Sequence, residues 1–461
     1  FVEGSKKKLN LFDLFTLGLG GALGSGIFVM MGMGISMTGR SIFLAVTIGC
    51  LYMTLAYFYQ VVTASMFVVP GGYYDMQAML FTPTLAGVSG IFVYFSGLAL
   101  AMSAIAMVEY AGMVFPVLLN FTKPIAAAIV LLFFAATVRG SKFLAKLSDI
   151  MVIILLISIA LFVIFGLPRV QPGYFSNSDG GFFLNGVGGF FGAISIMSWA
   201  CQGATGAPCS MMLATKNARR TAPLAVILVT IGIAVIYGLM SIVSAGVLPF
   251  EQIDGQNLSV VAQAIFPRPL YVMFILGGAV LAIATTLLST IAMLKEPCMQ
   301  VANDGWLPAV FKKTTKNGYP YVVQGFFLLI ALVSIFSGLS LESLVSLTMI
   351  PQMLMSIYLN LAVISLVKKH PEQWKTSILH MPMPLLCILC GIASICSLIV
   401  SYNLFIGLDT VSMIACVGIV ALCVIVAVVR LKTGAVDRNE ILRKQAAMVE
   451  RAVEFTAEEN S

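Results

Sequence analysis

The chain has 461 residues, 60% of them hydrophobic and only 10% charged, with a formal net charge of +7 and a mean hydropathy of +1.02. A soluble domain carries about a quarter charged residues, so the composition excludes a soluble enzyme or adaptor and specifies an all-α integral membrane protein. The basic residues are scattered over short loops, which argues for membrane topology and against nucleic acid as a partner.

The first apolar run follows directly on Lys6-Lys7-Lys8 with no cleavage-site pattern, so the first helix is expected to be retained. Runs of span length then recur at about 11–38, 41–68, 84–116, 124–138, 147–167, 182–211, 222–247, 269–301, 320–337, 342–367, 381–403 and 408–431. Twelve spans put both termini on one side. That side receives every lysine and arginine except Arg40, Lys123, Arg169 and Arg268, a division that a one-span error would scramble, so both termini are expected in the cytoplasm of a plasma-membrane protein. The nine cysteines lie almost all inside apolar runs, and His370 and His380 are the only histidines, so no metal site is expected from these residue types. Residues 432–461 turn polar and read either as an amphipathic helix, with Ile441, Ala446, Met448, Val449 and Phe455 near one side, or as a solvated tail.

Two interruptions stand out. Between Gly18 and Gly26 the first run carries five glycines in nine residues, which lowers the cost of leaving the helical ladder. The sixth run carries Trp199-Ala200-Cys201-Gln202-Gly203-Ala204-Thr205-Gly206-Ala207-Pro208, where two glycines and a proline weaken the helix and Gln202 needs a partner. If spans one to five (11–167) and six to ten (182–368) are two repeats, each opens on a broken helix. Five crossings invert the second copy, so the breaks meet at the midplane of a transporter built from inverted repeats. Residues 1–10 are then an N-terminal segment, 381–431 two accessory helices and 432–461 the tail.

At this point the residues resemble those of the amino acid-polyamine-organocation superfamily of transporters over roughly residues 10–430. Gly24-Ser25-Gly26-Ile27-Phe28 resembles the family's broken first helix, and Pro70-Gly71-Gly72-Tyr73 the element after the second. Ala200-Cys201-Gln202-Gly203 stands at its break in helix six, Lys216 to Pro223 resembles its asparagine-x-x-arginine-x-x-proline loop, and Ala302-Asn303-Asp304-Gly305-Trp306-Leu307-Pro308 its aspartate-glycine-x-x-proline signature. Gln202 replaces a commonly acidic position, and Lys295-Glu296-Pro297 replaces a serine-arginine pair.

The resemblance implies an amino acid held between helices one and six. Amides near Ser25, Gly26 and Ile27, with Ala22 and Gly24 beside them, would hold its carboxylate. Carbonyls near Ala200, Cys201 and Thr205 would accept from its ammonium, with Trp199 as a gate or core residue. Met102, Ser103, Met107, Ser346 and Ser356 are candidates for side-chain selectivity, and Glu109 reads equally as a pocket or an outer-end residue. With few acids near the bundle centre, a neutral substrate is favoured. Thr285, Thr286, Ser289 and Thr290, with carbonyls of Ala22, Leu23 and Ser25, could give sodium an all-oxygen shell, or the hydroxyls could bond back to their own helix. Sodium coupling, proton coupling and exchange stay open, as does the oligomeric state. A channel would need polar residues along more spans and an enzyme a catalytic cluster; a non-transporting amino acid sensor is the competing class. Asp304 is expected to organise its loop through backbone donors.

Overall fold

The computed structural model describes residues 9–138, 141–177, 180–315 and 319–460. Among these the secondary structure is helical, and the one extended pairing is an isolated bridge between Leu9 and Thr215. In hydrocarbon every amide and carbonyl must be satisfied within the protein, which a helix does locally.

The chain runs through α1 (Leu11–Ala22), α2 (Ser25–Thr38), α3 (Ile42–Ala56), α4 (Phe58–Met66) and the short α5 (Gly72–Ala78). Next come α6 (Pro83–Phe92) and α7 (Gly97–Val114), joined through a single 3-10 turn, then α8 (Thr122–Val138) and α9 (Ser141–Gly166). The second half opens with α10 (Gly186–Ile196), α11 (Ser198–Cys201) and α12 (Gly206–Ser210), followed by α13 (Ala218–Gly246). A loop carrying α14 (Phe250–Ile253) and α15 (Ser259–Ile265) leads to α16 (Arg268–Met273), which passes through a π-helical segment into α17 (Leu281–Asn303). The rest comprises α18 (Tyr321–Phe336), α19 (Leu341–Lys369), α20 (Pro371–Lys375), α21 (Met383–Ile406), α22 (Thr410–Lys432) and α23 (Arg438–Asn460).

Among the described residues nine helical segments are long and apolar enough to cross a membrane, and Leu11–Ala22, Gly186–Ile196 and Tyr321–Phe336 are apolar but shorter. Large apolar side chains face outward along α21 (Ile388, Ile392, Ile395) and α22 (Val411, Ile414, Val417), at helical spacing and with no protein over them. That is the surface of a protein whose solvent is lipid. The interior holds fully buried tyrosines whose hydroxyls find carbonyls: Tyr94 donates to Cys298 (2.7 Å), Tyr110 to Phe28 (2.6 Å) and Tyr237 to Ala22 (3.2 Å).

The two ends differ. At one, Ser36 accepts the Gly255 amide (2.7 Å) and the Tyr110 hydroxyl accepts the Leu258 amide (3.2 Å), so the α14–α15 loop is fastened onto α2 and α7. At the other, α23 lies across the ends of the bundle. Lys444 pairs with Asp304 at 2.7 Å, Gln445 donates to the Ala78 and Phe81 carbonyls (2.9 and 2.8 Å), and Thr456 accepts the Val68 amide (3.0 Å). The tail is therefore a packed helix with a buried stripe at Ile441, Ala452 and Thr456. Ala446, expected near that stripe, is exposed, because the helical repeat places it about one residue round from Gln445. Asp304 departs from expectation as well: its carboxylate takes Lys444 and Gln300 (2.8 Å), both side chains, in place of loop amides.

Candidate functional site

The first break is narrow. Leu23 closes α1 by donating to the Leu19 carbonyl, and two residues later α2 begins, with the Ser25 amide donating to the Thr286 hydroxyl of α17 at 3.1 Å. The second break is wider: α11 ends at Cys201, and Gln202 to Thr205 run non-helically before α12. Gly203 sits at φ 112°, a conformation that a side chain resists. Gln202 is held from both sides, accepting from the Tyr57 hydroxyl (3.0 Å) and donating to the Met349 sulfur (3.5 Å).

The breaks touch. A Cβ on Gly26 would lie 2.5 Å from the Ala200 Cα, and one on Gly203 would lie 3.2 Å from the Ala22 Cα. The structure thus packs Gly26 tightly against Ala200 and Ala22 against Gly203, while Gly24 and Ser25 face Thr286 of α17. The Ser25 hydroxyl is buried there without a hydrogen-bond partner. Cys201 points away, its thiol donating to the Val46 carbonyl at 3.5 Å.

The open space lies on the α23 side of the breaks. A cavity of about 310 Å³ is lined at its deep end by Trp199, Gln202, Gly203 and Thr205. Its walls are Tyr57, Tyr59 and Gln60 of the second helix region, Ser89, Phe92 and Ser96 of the third, Thr290 of α17, and Thr348, Gln352, Met355 and Leu359 of α19. No charged side chain lines it among the described residues. Through Tyr73, Tyr74 and Pro297 it continues into a wider mouth of about 650 Å³ bordered by Asp75, Lys444 and Arg451. At that mouth burial pushes the Tyr73 hydroxyl up to about 12. Burial also holds the Asp75 carboxyl above its ordinary range, against the lowering effects of the Gly71 amide and the Arg451 guanidinium.

Of the side-chain candidates, Met102, Ser103, Ser346 and Ser356 are buried in helix contacts, and neither they nor Met107 lines the cavity. On the third helix region the cavity-facing residues lie nearer α23, at Ser89, Phe92, Val93, Ser96 and Ala99; on α19 they are Thr348, Gln352, Met355 and Leu359, a face from which Ser356 turns away towards the Ala56 carbonyl. Glu109 is half-buried beside Tyr110, towards the fastened end. In the hydroxyl group of α17, Thr285 and Thr286 donate to the Ala282 carbonyl (2.8 and 3.0 Å) and Ser289 to Thr285 (2.8 Å); only Thr290 reaches the cavity. The side chains of Lys295 and Glu296 lie outside the described residues, as do Lys316 and Gly318.

Sequence reasoning missed Tyr57, Gln60, Gln77, Gln352 and Asn360. The signal was present: carboxamides inside apolar runs are as costly as Gln202 and equally need partners.

The sequence model of the family described as amino acid permease matches residues 9–429. The branched-chain amino acid permease BcaP of Bacillus subtilis (strain 168) is 28% identical over 400 residues, covering 80% of this chain and 82% of that protein. The methylthioribose transporter of the same organism is 24% identical over 398 residues, covering 79% and 82%.

Proposed function

We propose, for a chain that belongs to the amino acid permease family, transport of a neutral amino acid across the plasma membrane by alternating access. Transport by a multi-pass membrane protein, and not enzymatic chemistry, follows from the family. The neutral substrate is our reading, and one observation carries it: among the described residues the cavity beside the helix-six break holds amides, hydroxyls and aromatic rings but no charge. A cationic or polyamine substrate stripped of water would need a carboxylate there. The apolar wall of Leu294, Met355 and Leu359 suits an aliphatic side chain, in keeping with the name of one relative.

In this reading the helices cross twelve times as a five-plus-five inverted repeat with accessory helices eleven and twelve, both termini face the cytoplasm, and α23 marks the cytoplasmic end. The fastened α14–α15 loop and the open mouth at α23 support an inward-facing state. Main-chain groups at the two breaks would hold the zwitterion once the breaks part. The deciding experiment is a competition screen in proteoliposomes with leucine, serine, glutamine, lysine and putrescine. Neutral amino acids should displace the label; preference for lysine or putrescine would overturn the reading. A protein that binds label but never accumulates it in sealed vesicles would instead be a sensor.

Sodium coupling is the second reading, favoured by the orphaned Ser25 hydroxyl next to Thr286. Thr285 and Thr286 spend their protons on Ala282, and although the Thr286 oxygen also accepts the Ser25 amide, lone pairs remain for a cation, which in this reading the Ala22 and Leu23 carbonyls would join. Uptake undiminished when choline replaces sodium would leave proton coupling or exchange.

A further inference from the structure

The cavity contains a second polar group, separate from the break, at the kink between α3 and α4. The kink frees the Ala56 carbonyl and the Tyr59 amide, and a buried carboxamide on α19 takes both: Asn360 Oδ1 accepts from Tyr59 N (2.9 Å) and Asn360 Nδ2 donates to Ala56 O (2.8 Å). The Ser356 hydroxyl donates to the same carbonyl. The backbone at Tyr59 and Gln60 is thereby fixed from a different helix, and both side chains line the cavity.

Gln60 Nε2 and Gln77 Nε2 both donate to the Tyr59 hydroxyl oxygen, at 2.9 and 2.8 Å. A phenol oxygen that accepts twice has used its acceptor capacity, so its own proton must find an acceptor elsewhere. Beside it, Gln60 is 3% exposed and its Oε1 has no hydrogen-bond partner. A buried acceptor without a donor is costly unless something visits it. One unspent donor and one unspent acceptor therefore stand side by side, buried in the cavity wall between the break and the mouth, where no charged side chain lines the cavity among the described residues.

We propose that Tyr59, Gln60 and Gln77 form an inner subsite where a zwitterionic amino acid pauses between the break and the α23 mouth. Its ammonium donates to Gln60 Oε1 and its carboxylate accepts from the Tyr59 hydroxyl. Gln77 contributes by holding the phenol oxygen. Neutral partners make the station weak, which suits a group that must release what it binds. The inference rests on the transport reading above.

The test uses the full-length protein in oriented proteoliposomes, with tritiated leucine offered separately at the face that carries α23 and at the opposite face. Gln60→Leu and Tyr59→Phe should each raise the half-saturation concentration at the α23 face by about tenfold, the scale of one or two lost neutral hydrogen bonds. At the opposite face the change should stay within about twofold. Tyr59→Phe keeps the ring volume and serves if Gln60→Leu does not fold, which size-exclusion chromatography in detergent would reveal. Equal shifts at both faces would overturn the subsite and make these residues structural. No shift at either face would also overturn it, leaving a polar recess filled by water. A wild-type protein that moves none of the screened amino acids would remove the transport reading itself, and this site with it.

Discussion

The break between α1 and α2 and the break between α11 and α12 are built from different materials. The first is made by glycine density, spans two residues and is filled by the backbone of its counterpart, so Gly26 meets Ala200 with no gap. The second spans four residues, carries a polar side chain in Gln202 and opens on a cavity. Glycine lets chains approach, and an amide that must be satisfied makes room. The contrast teaches that the polar break carries the pocket in this conformation and the glycine break supplies the surface it closes against.

That contrast can be broken most severely at Gly26. Gly26→Leu drives a branched side chain into the Ala200 backbone, an overpacking cost of at least about 1–3 kcal/mol with no flexible neighbour to yield. Loss of both transport and a monodisperse detergent peak is expected. Asn360→Leu comes next, since it orphans the Tyr59 amide at about 1–3 kcal/mol and leaves the Ala56 carbonyl to the Ser356 hydroxyl alone, and the thermal midpoint should fall by several degrees. Gln202→Ala sharpens the comparison: the Tyr57 hydroxyl loses its acceptor, yet the packed break remains, so turnover should drop while the protein stays folded. Unchanged transport would show that the glutamine carries no function. Ser25→Ala removes a hydroxyl without a partner and should leave the melting temperature within about one degree. If sodium binds there, the sodium half-saturation must rise in the same variant.

The smallest expected effect lies at the mouth. Burial raises the Asp75 carboxyl above its ordinary 3.8, so the folded state holds this proton more tightly than the unfolded chain. The resulting stability is fully present below about that value and is lost as pH rises through the raised one. Asp75→Asn keeps an acceptor for the Gly71 amide and should flatten that part of the melting-temperature profile.

Much of this was legible in the sequence, and unevenly so. Both interruptions could be read because Gly, Pro and a stranded glutamine are local signals. The cavity could not, since it depends on which turn of each helix faces inward. Ser103 and Met107 sit on the same helix as Ser96 and Ala99 but are displaced along it away from the cavity, and hydropathy that is apolar all round gives no phase. The tail helix was legible except at Ala446: its buried stripe mixes Ile441 and Ala452 with Gln445 and Thr456, whose partners are backbone groups near three other helices. Asp304 was placed in the right loop and given the wrong partner, because Lys444 is distant in sequence.

Helix α23 is fastened at Val68, Ala78 and Phe81 on one side and at Asp304 on the other. A bar bolted to both leaves of a hinge sets how far the hinge can swing. Any motion that separates the end of α4 from the end of α17 must either carry this bar whole or release one set of its bolts, and the Lys444–Asp304 pair, being partly wetted, is the one that salt can loosen.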